Sequence, residues 1–352
     1  MPAVPLTITV PDEDGLFRAV WLQTDLPLPD ERRRFARENG GWVLALPGDL
    51  QVTRLEYMLG VQLEESGEWD TVVNPAADAT ATGVFGDKSV GLDPGYAEPW
   101  WVGRTGTEAV VSDEPLKSRA LKEVVGVQVW SPASCAPEDP LPLIVANDGP
   151  EYAELALLTH YAAVLIGDGE LPPFRIALVA PGPRNGWYSA SPQYARALGT
   201  EIVPHVTNSF ATKGGAVGIG ASLGALAMLH AQRRQPGTFA GLLLQSGSFF
   251  VPRFDAHERE FPHYQRVVRF SRAVLRATSH GETVPVVITC GAEEENIRNN
   301  RLMCTALGTQ GYDVSLHELG DTHNYTAWRD AFDPLLTDLM LDAWAEPAAV
   351  SE

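Results

Sequence analysis

A serine in a glycine-rich turn is the first feature of the sequence that could carry out chemistry. Residues 218–224 read GIGASLG, which places the pattern Gly-x-Ser-x-Gly at Gly220, Ser222 and Gly224. The preceding GAVGIG predicts a short strand, and the following LGALAMLHAQRRQPG predicts a helix that ends before Pro-Gly. A serine on a sharp strand-to-helix turn needs small neighbours and is typical of a catalytic nucleophile. This setting favours a nucleophilic Ser222 over an ordinary turn serine.

Backbone N–H groups beside this turn could stabilise a negatively charged oxygen. Leu223 would begin the helix, where N–H groups lack partners within the helix, so it is the first expected oxyanion donor. A second donor is expected in the loop NDGPEY, which follows the apolar run PLIVAND. Pro150 has no N–H, which leaves Gly149 or a following residue such as Glu151.

A serine hydroxyl is a poor nucleophile without a base, and a histidine near the C-terminus could supply one. In this strand–turn–helix arrangement an acid and then a histidine follow the serine along the chain. His323 lies between the predicted strand DVSLHEL and the last predicted helix, so it is the expected base. His317 lies within that strand and is interpreted as structural, whereas His263 and His280 are expected to face solvent.

Three adjacent glutamates are candidates for the acid that orients the histidine. Glu293, Glu294 and Glu295 follow the predicted strand VPVVITCGA, which is where the acid is expected. Adjacent acidic residues are also typical of the first turn of a helix, because their charge complements the helix dipole. The residues by themselves do not choose among the three.

The elements that must position these residues fall into two parts. RLEYMLGVQL and GLFRAVWLQ alternate apolar and polar residues and GGWVLALPGD is a short apolar run, which together predict a small all-β sandwich over residues 1–112. Strands alternate with helices from about residue 120, which predicts a doubly wound, mostly parallel sheet over residues 113–352. In the closing segment, Pro334 is expected to kink or split the last helix.

Composition excludes several kinds of partner. The net charge of −19 argues against nucleic acid and against an anionic membrane surface, since no basic stripe could neutralise phosphates. Three widely spaced cysteines without a CxxC pair fit a reducing compartment. We see no signal peptide and no uncharged run near the roughly 18 residues of a membrane span, so a cytoplasmic location is expected.

Several longer motifs resemble the enterochelin (ferric siderophore) esterase-like branch of the α/β-hydrolases. NDGPEY, GASLGALAMLHAQRRQPGTFAGLLLQSGSFF, CGAEEENIRNNRLM and DTHNYTAWRDAF follow that family's pattern in order. RLEYMLGV, GVFGDKS and PGYAEPWW resemble its N-terminal immunoglobulin-like domain, which borders the hydrolase cleft in the family. The resemblance implies Ser222 as nucleophile, His323 as base and Glu294, three positions past Gly291, as acid.

One segment departs from the family pattern and bears on the substrate. Where the family usually has an arginine followed by Glu-Tyr or Glu-Phe, PRNGWYSASPQY keeps Arg184 but has Trp187 in place of the glutamate. Arg184, Trp187, Tyr188 and Phe249 are candidates for the substrate pocket, with packing as the alternative for each.

The residues and the resemblance together predict a serine esterase that needs no metal or organic cofactor. Its expected partner is a small-molecule ester, and the family implies a siderophore ester such as a catecholate trilactone. One alternative is a feruloyl or acetyl carbohydrate esterase, in which Trp100 and Trp101 could stack on a sugar. Another is a binding protein that keeps a hydrolase fold without catalysis.

Overall fold

The computed structural model describes residues 6–84 and 86–345. Contacts divide the chain into two units at Glu98 and Pro99. The first unit also contains two later segments, Gly291–Ile297 and Glu318–Ala327, and the second contains the rest. The sequence-based boundary at residue 112 stays a prediction. The two later segments contain Glu294 and His323, the predicted acid and base.

The first unit contains a β-sandwich, as the sequence predicts. Its strands are β1 (Thr7–Pro11), β2 (Phe17–Gln23), β3 (Ala36–Glu38), β4 (Gly41–Ala45), β5 (Arg54–Leu63), β6 (Trp69–Val72), β7 (Ala79–Gly83) and β8 (Gly86–Leu92). One sheet has the order β1-β4-β3, and the other has the order β2-β5-β8-β7 with β6 also paired to β5. All of these pairs are antiparallel. Leu22, Leu55, Leu59 and Val61 are fully buried in the core of this unit.

Strand β5 differs from the simple pattern of one apolar and one polar side. Leu55, Tyr57, Leu59 and Val61 are buried as their spacing predicts, but Glu56 is only 6% exposed. A buried carboxylate requires a partner, and Glu56 Oε1 accepts a hydrogen bond from Arg54 Nη2 at 2.8 Å. The charged end of this strand is therefore part of the interior.

The second unit is built on an eight-stranded sheet. Its strands and a nearby two-stranded pair are β9 (Ala109–Asp113), β10 (Leu116–Lys117), β11 (Val124–Val125), β12 (Val127–Pro132), β13 (Leu143–Asn147), β14 (Arg175–Val179), β15 (Ala216–Ala221), β16 (Phe239–Gln245), β17 (Val286–Gly291) and β18 (Val314–Leu319). The order is β18-β17-β16-β15-β13-β14-β12-β9. Five adjacent strands of this sheet are parallel to one another: β14, β13, β15, β16 and β17. Strand β12 is antiparallel to both β14 and β9. The polar stretch GRTGTEAVVSDEPLKSR at residues 103–119 thus contains an edge strand, β9.

Helices alternate with the parallel strands, as the sequence predicts. They are α1 (Gly149–Glu154), α2 (Leu158–Gly167), α3 (Arg184–Tyr188), α4 (Pro192–Ala197), α5 (Val203–Ser209), α6 (Leu223–Arg234), α7 (Tyr264–Arg276), α8 (Ile297–Thr309), α9 (Tyr325–Asp330) and α10 (Thr337–Trp344). Short 3-10 helices cover Asp30–Arg32 and His257–Glu260, and π-helices cover Leu198–Ile202 and Phe332–Leu336. The expected break at Pro334 falls within the second π-helix, where Asp333 leaves helical geometry. Among the described residues, no helix combines the length and apolarity needed to cross a bilayer.

Candidate active site

Ser222 stands on a strained turn between β15 and α6. Its backbone has φ 57° and ψ −123°, a conformation that residues with a side chain rarely adopt. Such a conformation costs on the order of 1–3 kcal/mol and persists only where neighbouring structure enforces it. Two hydrogen bonds hold the turn: Ser222 N–H donates to Gln245 O at 2.8 Å, and Ser248 N–H donates to Ser222 O at 3.1 Å. The expected strand–turn–helix elbow is therefore present.

The glycines flanking Ser222 allow its strand and helix to approach closely. A Cβ added at Gly220 would lie 2.5 Å from the carbonyl carbon of Gly224, closer than real Cβ contacts. Backbone at that distance cannot yield as a flexible side chain could. The small-residue requirement inferred from the sequence is thus a steric requirement at Gly220.

The two residues predicted as oxyanion donors, Leu223 and Gly149, are each the first residue of a helix. Leu223 is the first residue of α6, so its N–H has no acceptor within that helix. Gly149 is the first residue of α1 and follows Asp148, which has a left-handed backbone with φ 52°. Asn147 Nδ2 donates to Gly224 O at 3.0 Å and so links the end of β13 to the first turn of α6. The segments with Leu223 and Gly149 are thereby held to one another.

Arg184 is paired with a buried carboxylate of the same loop system. Its Nε donates to Asp148 Oδ1 at 2.8 Å and its Nη2 donates to Asp148 Oδ2 at 2.9 Å. Burial raises the pKa of Asp148, while the hydrogen bond and charge of Arg184 lower it, and the net shift is upward. Asp148 N–H also donates to the hydroxyl of Tyr188 at 3.1 Å. These contacts give Arg184 a structural function at the residue before Gly149.

The aromatic pocket candidates lie mainly in the core. Trp187, Tyr188 and Phe249 are 7%, 0% and 1% exposed and belong to the core of the second unit. Trp187 stacks on Tyr194 with ring centroids 5.8 Å apart, and Tyr188 lies 5.1 Å from the same ring. These contacts show that the three side chains pack in the core. A ligand contact for them and for Arg184 stays a prediction.

A second hydroxyl, which the sequence analysis did not single out, lies beside Ser222. Ser248 Oγ is 3.0 Å from Ser222 Oγ, and Ser248 is 5% exposed. Its loop is fixed by Asn300, whose side-chain amide accepts from Gly247 N–H and donates to Gly247 O, both at 3.1 Å. The only sequence signal is the motif QSGS after strand β16, and serine is too common in turns to be recognised there.

Within the first unit, Glu294 and His323 form a hydrogen-bonded pair. Glu294 Oε2 is 2.9 Å from His323 Nδ1, and the side chains are 2% and 31% exposed. The other carboxylate oxygen, Glu294 Oε1, accepts from Gly291 N–H at 2.8 Å. The carboxylate is thus held by the backbone at one oxygen and meets the imidazole with the other. Ser222 belongs to the second unit.

The surroundings of His323 raise its pKa. Burial lowers the pKa of His323, but the hydrogen bond and charge of Glu294, with smaller effects of Asp25 and Glu295, outweigh burial and raise it above 6.5. A carboxylate bonded to Nδ1 favours the positive charge that the ring acquires when it accepts a proton at Nε2. The contact with Glu294 is thus the main cause of the raised pKa of His323.

The other two glutamates have different surroundings. Glu293 Oε1 accepts from Gln51 N–H at 3.1 Å, and Glu295 is exposed. All three glutamates precede α8, which begins at Ile297, so they form a turn rather than the first turn of that helix. Of the three, the hydrogen bond to His323 belongs to Glu294.

Comparison with known proteins identifies the family. Residues 118–339 match the family described as "Putative esterase", which is more than half of the chain. A search of curated proteins gave no match.

Solved structures share the fold at low sequence identity. Enterobactin esterase from Shigella flexneri, solved in the presence of 2,3-dihydroxy-N-benzoyl-glycine, aligns over 97% of this chain and 94% of its own, with 18% identity and a TM-score of 0.72. Ferric enterobactin esterase from Salmonella typhimurium aligns over 96% and 93%, with 19% identity and a TM-score of 0.72. A ferulic acid esterase aligns over 66% of this chain and 98% of its own, with 18% identity and a TM-score of 0.55.

These likenesses confirm the predicted fold, an α/β-hydrolase sheet with a separate N-terminal β domain. The family match covers β12 to β18 and the residues Ser222, Glu294 and His323. The chain therefore belongs to the Putative esterase family and is a carboxylic ester hydrolase.

Proposed function

We propose that Ser222 is the nucleophile of this esterase, His323 its general base and Glu294 the acid that orients the imidazole. The observation that carries the proposal is the 2.9 Å contact between Glu294 Oε2 and His323 Nδ1. A carboxylate that accepts from Nδ1–H leaves Nε2 unprotonated in the neutral ring, ready to take a proton from a serine hydroxyl. The chain order serine, acid, histidine and the strained backbone of Ser222 support the same assignment.

In this mechanism Ser222 Oγ attacks the ester carbonyl carbon while its proton moves to His323 Nε2. The N–H groups of Leu223 and Gly149 donate to the oxygen that becomes negatively charged. His323 Nε2 then protonates the leaving alcohol as the C–O bond breaks, which leaves an acyl group on Ser222. A water molecule gives a proton to Nε2, attacks the acyl carbon and releases the acid, and the proton returns to Ser222 Oγ. No step requires a metal or an organic cofactor.

For the substrate, we propose a siderophore ester of the catecholate trilactone class. Enterobactin esterases align with nearly the whole chain, including the N-terminal β unit, and this supports the proposal. The ferulic acid esterase aligns with only 66% of the chain, so a feruloyl ester is the second candidate. A ferric catecholate is anionic and the net charge of the chain is −19, so we expect added salt to lower KM by screening repulsion beyond about 8 Å. The cytoplasmic location stays a prediction.

Turnover of an ester panel tests both the proposed catalytic residues and the proposed substrate class. We expect wild type to hydrolyse a catecholate trilactone, with and without iron, at a higher kcat/KM than a feruloyl ester. The Ser222→Ala and His323→Ala variants should each lose roughly 10³-fold or more of kcat. A preference for the feruloyl ester would contradict the substrate proposal, and full turnover by His323→Ala would contradict the catalytic one. A wild type that binds these esters without cleaving any of them would favour the non-catalytic alternative.

A further inference from the structure

A buried ion pair ties the start of β5 to the loop that carries His323. Arg54 Nη1 donates to Asp321 Oδ2 at 2.7 Å, and Arg54 Nη2 donates to Glu56 Oε1 at 2.8 Å. The three side chains are between 5% and 8% exposed. Arg54, Glu56 and Asp321 all belong to the first unit, although 267 positions separate Arg54 from Asp321.

The backbone reinforces this connection at the neighbouring residue. The N–H groups of Thr53 and Arg54 both donate to Gly320 O, at 2.7 Å and 3.2 Å, and Thr53 Oγ1 donates to the same oxygen at 3.1 Å. A Cβ at Gly320 would lie 2.7 Å from Thr53 Oγ1, so the approach is close. The carbonyl of Gly320, the residue before Asp321, is therefore held by two residues of the β domain.

Asp321 in turn organises the residues on both sides of His323. Asp321 Oδ1 accepts from Thr322 N–H at 2.7 Å and from Asn324 Nδ2 at 2.8 Å. Asn324 Oδ1 accepts from Ala327 N–H at 2.8 Å in the first turn of α9. His323 thus lies between two residues of a single hydrogen-bonded network that ends on Arg54.

Burying the carboxylate of Asp321 costs free energy, and its ion pair with Arg54 does not by itself give net stability. Burial raises the pKa of Asp321 to about 6, although Arg54 and hydrogen bonds oppose this shift. Buried ion pairs are often no more stabilising than apolar residues of similar volume, but they fix geometry. The geometry fixed here is that of the segment 320–324.

We propose that Arg54 is a positioning residue for catalysis, which acts through Asp321 to hold His323 Nδ1 against the carboxylate of Glu294. This inference rests on the proposed functions of His323 and Glu294. It assigns to the N-terminal β domain a part in the reaction, because a residue of its central strand β5 sets the orientation of the base. An imidazole displaced by about 1 Å can lose on the order of 10²-fold in rate.

The experiment compares Arg54→Met and Asp321→Asn with Arg33→Met as a matched control. Arg33 belongs to the same unit and donates to the carbonyls of Leu28, Thr24 and Leu26, so its loss also removes three partly buried hydrogen bonds. We expect both Arg54→Met and Asp321→Asn to lower kcat by roughly 10- to 100-fold with KM changed by less than about 3-fold. Arg33→Met should lose stability but keep its kcat.

Histidine NMR gives a readout that does not depend on turnover. Glu294 is the main group that raises the pKa of His323. A loosened contact should therefore lower the pKa of His323 in Arg54→Met and Asp321→Asn, and Arg54→Lys should recover part of the wild-type value.

Circular dichroism establishes folding, and Asp321→Asn serves as the test variant if Arg54→Met does not fold. Folded variants with wild-type kcat and a wild-type His323 pKa would overturn the positioning function. A wild type without esterase activity would contradict the proposed mechanism. If the variants then still showed the expected changes in the pKa of His323, the positioning of His323 would remain supported.

Discussion

Replacing Glu294 by glutamine should place the proton of His323 on the wrong nitrogen. Glu294 Oε1 accepts from Gly291 N–H at 2.8 Å, so a glutamine keeps its oxygen there and directs its NH₂ group to His323 Nδ1. An NH₂ donor requires Nδ1 to accept, and the neutral ring then carries its proton on Nε2. Such a ring cannot take the proton of Ser222.

The magnitude follows from the loss of this tautomer. A comparable carboxylate-to-amide change in a serine triad costs roughly 10⁴-fold in kcat, so we expect a loss of about 10³- to 10⁴-fold, or about 4–5.5 kcal/mol in activation free energy. KM should change little, because Glu294 is not proposed to contact the substrate. Glu293→Gln is the matched control, since Glu293 accepts from Gln51 N–H, and it should keep its rate within about twofold.

The pH profile provides an independent check. The proposed mechanism requires neutral His323, so wild-type kcat/KM should rise with pH through a midpoint above 6.5, because Glu294 raises the pKa of His323. In Glu294→Gln this effect is removed and burial lowers the pKa, so the midpoint of the residual activity should move down. The assay is hydrolysis of a short-chain p-nitrophenyl ester between about pH 5 and pH 9. A Glu294→Gln variant with wild-type kcat and midpoint would refute the reasoning.

Three further changes test the elbow. Gly220→Ala should destabilise the fold by about 1–3 kcal/mol in urea unfolding, since its Cβ would lie 2.5 Å from the carbonyl carbon of Gly224, whereas Gly281→Ala, in open space, should be near neutral. Ser222→Gly should abolish activity and raise the free energy of unfolding by about 1–3 kcal/mol, because glycine adopts φ 57° without strain; an unchanged stability would contradict the strain. Ser248→Ala should lower kcat about 2- to 10-fold through loss of one neutral hydrogen bond to Ser222, and an unchanged kcat would show that Ser248 does not orient the nucleophile.

The parts of the site that are local in sequence could be predicted from sequence. The strand, turn and helix around Ser222 occupy one continuous stretch, so residue types alone indicate the elbow. The segments after β17 and β18 could be predicted as the locations of acid and histidine, because strand ends carry the loops of such folds. The family resemblance was needed to choose Glu294 among the three glutamates, because adjacent residues of the same type differ only in their contacts.

Contacts between distant residues could not be predicted. Nothing in a single sequence links Arg54 to Asp321, and a charged residue at the start of an apolar strand is expected to be exposed. The edge strand β9 was missed for a related reason: Val110 and Val111 are 51% and 55% exposed, and their polar surroundings are typical of a linker. Burial of Tyr188 depends on contacts among α3, α4 and the residue that follows β13, which periodicity does not describe.

The central claim is that Ser222 is an activated nucleophile, and covalent labelling tests it most directly. A fluorophosphonate probe reacts with a serine only when a base and oxyanion donors activate it. We predict one probe per chain, located on Ser222 by peptide mass spectrometry, with labelling absent in Ser222→Ala and strongly slowed in His323→Ala. Absence of labelling in folded wild type, or labelling at another residue, would contradict the account.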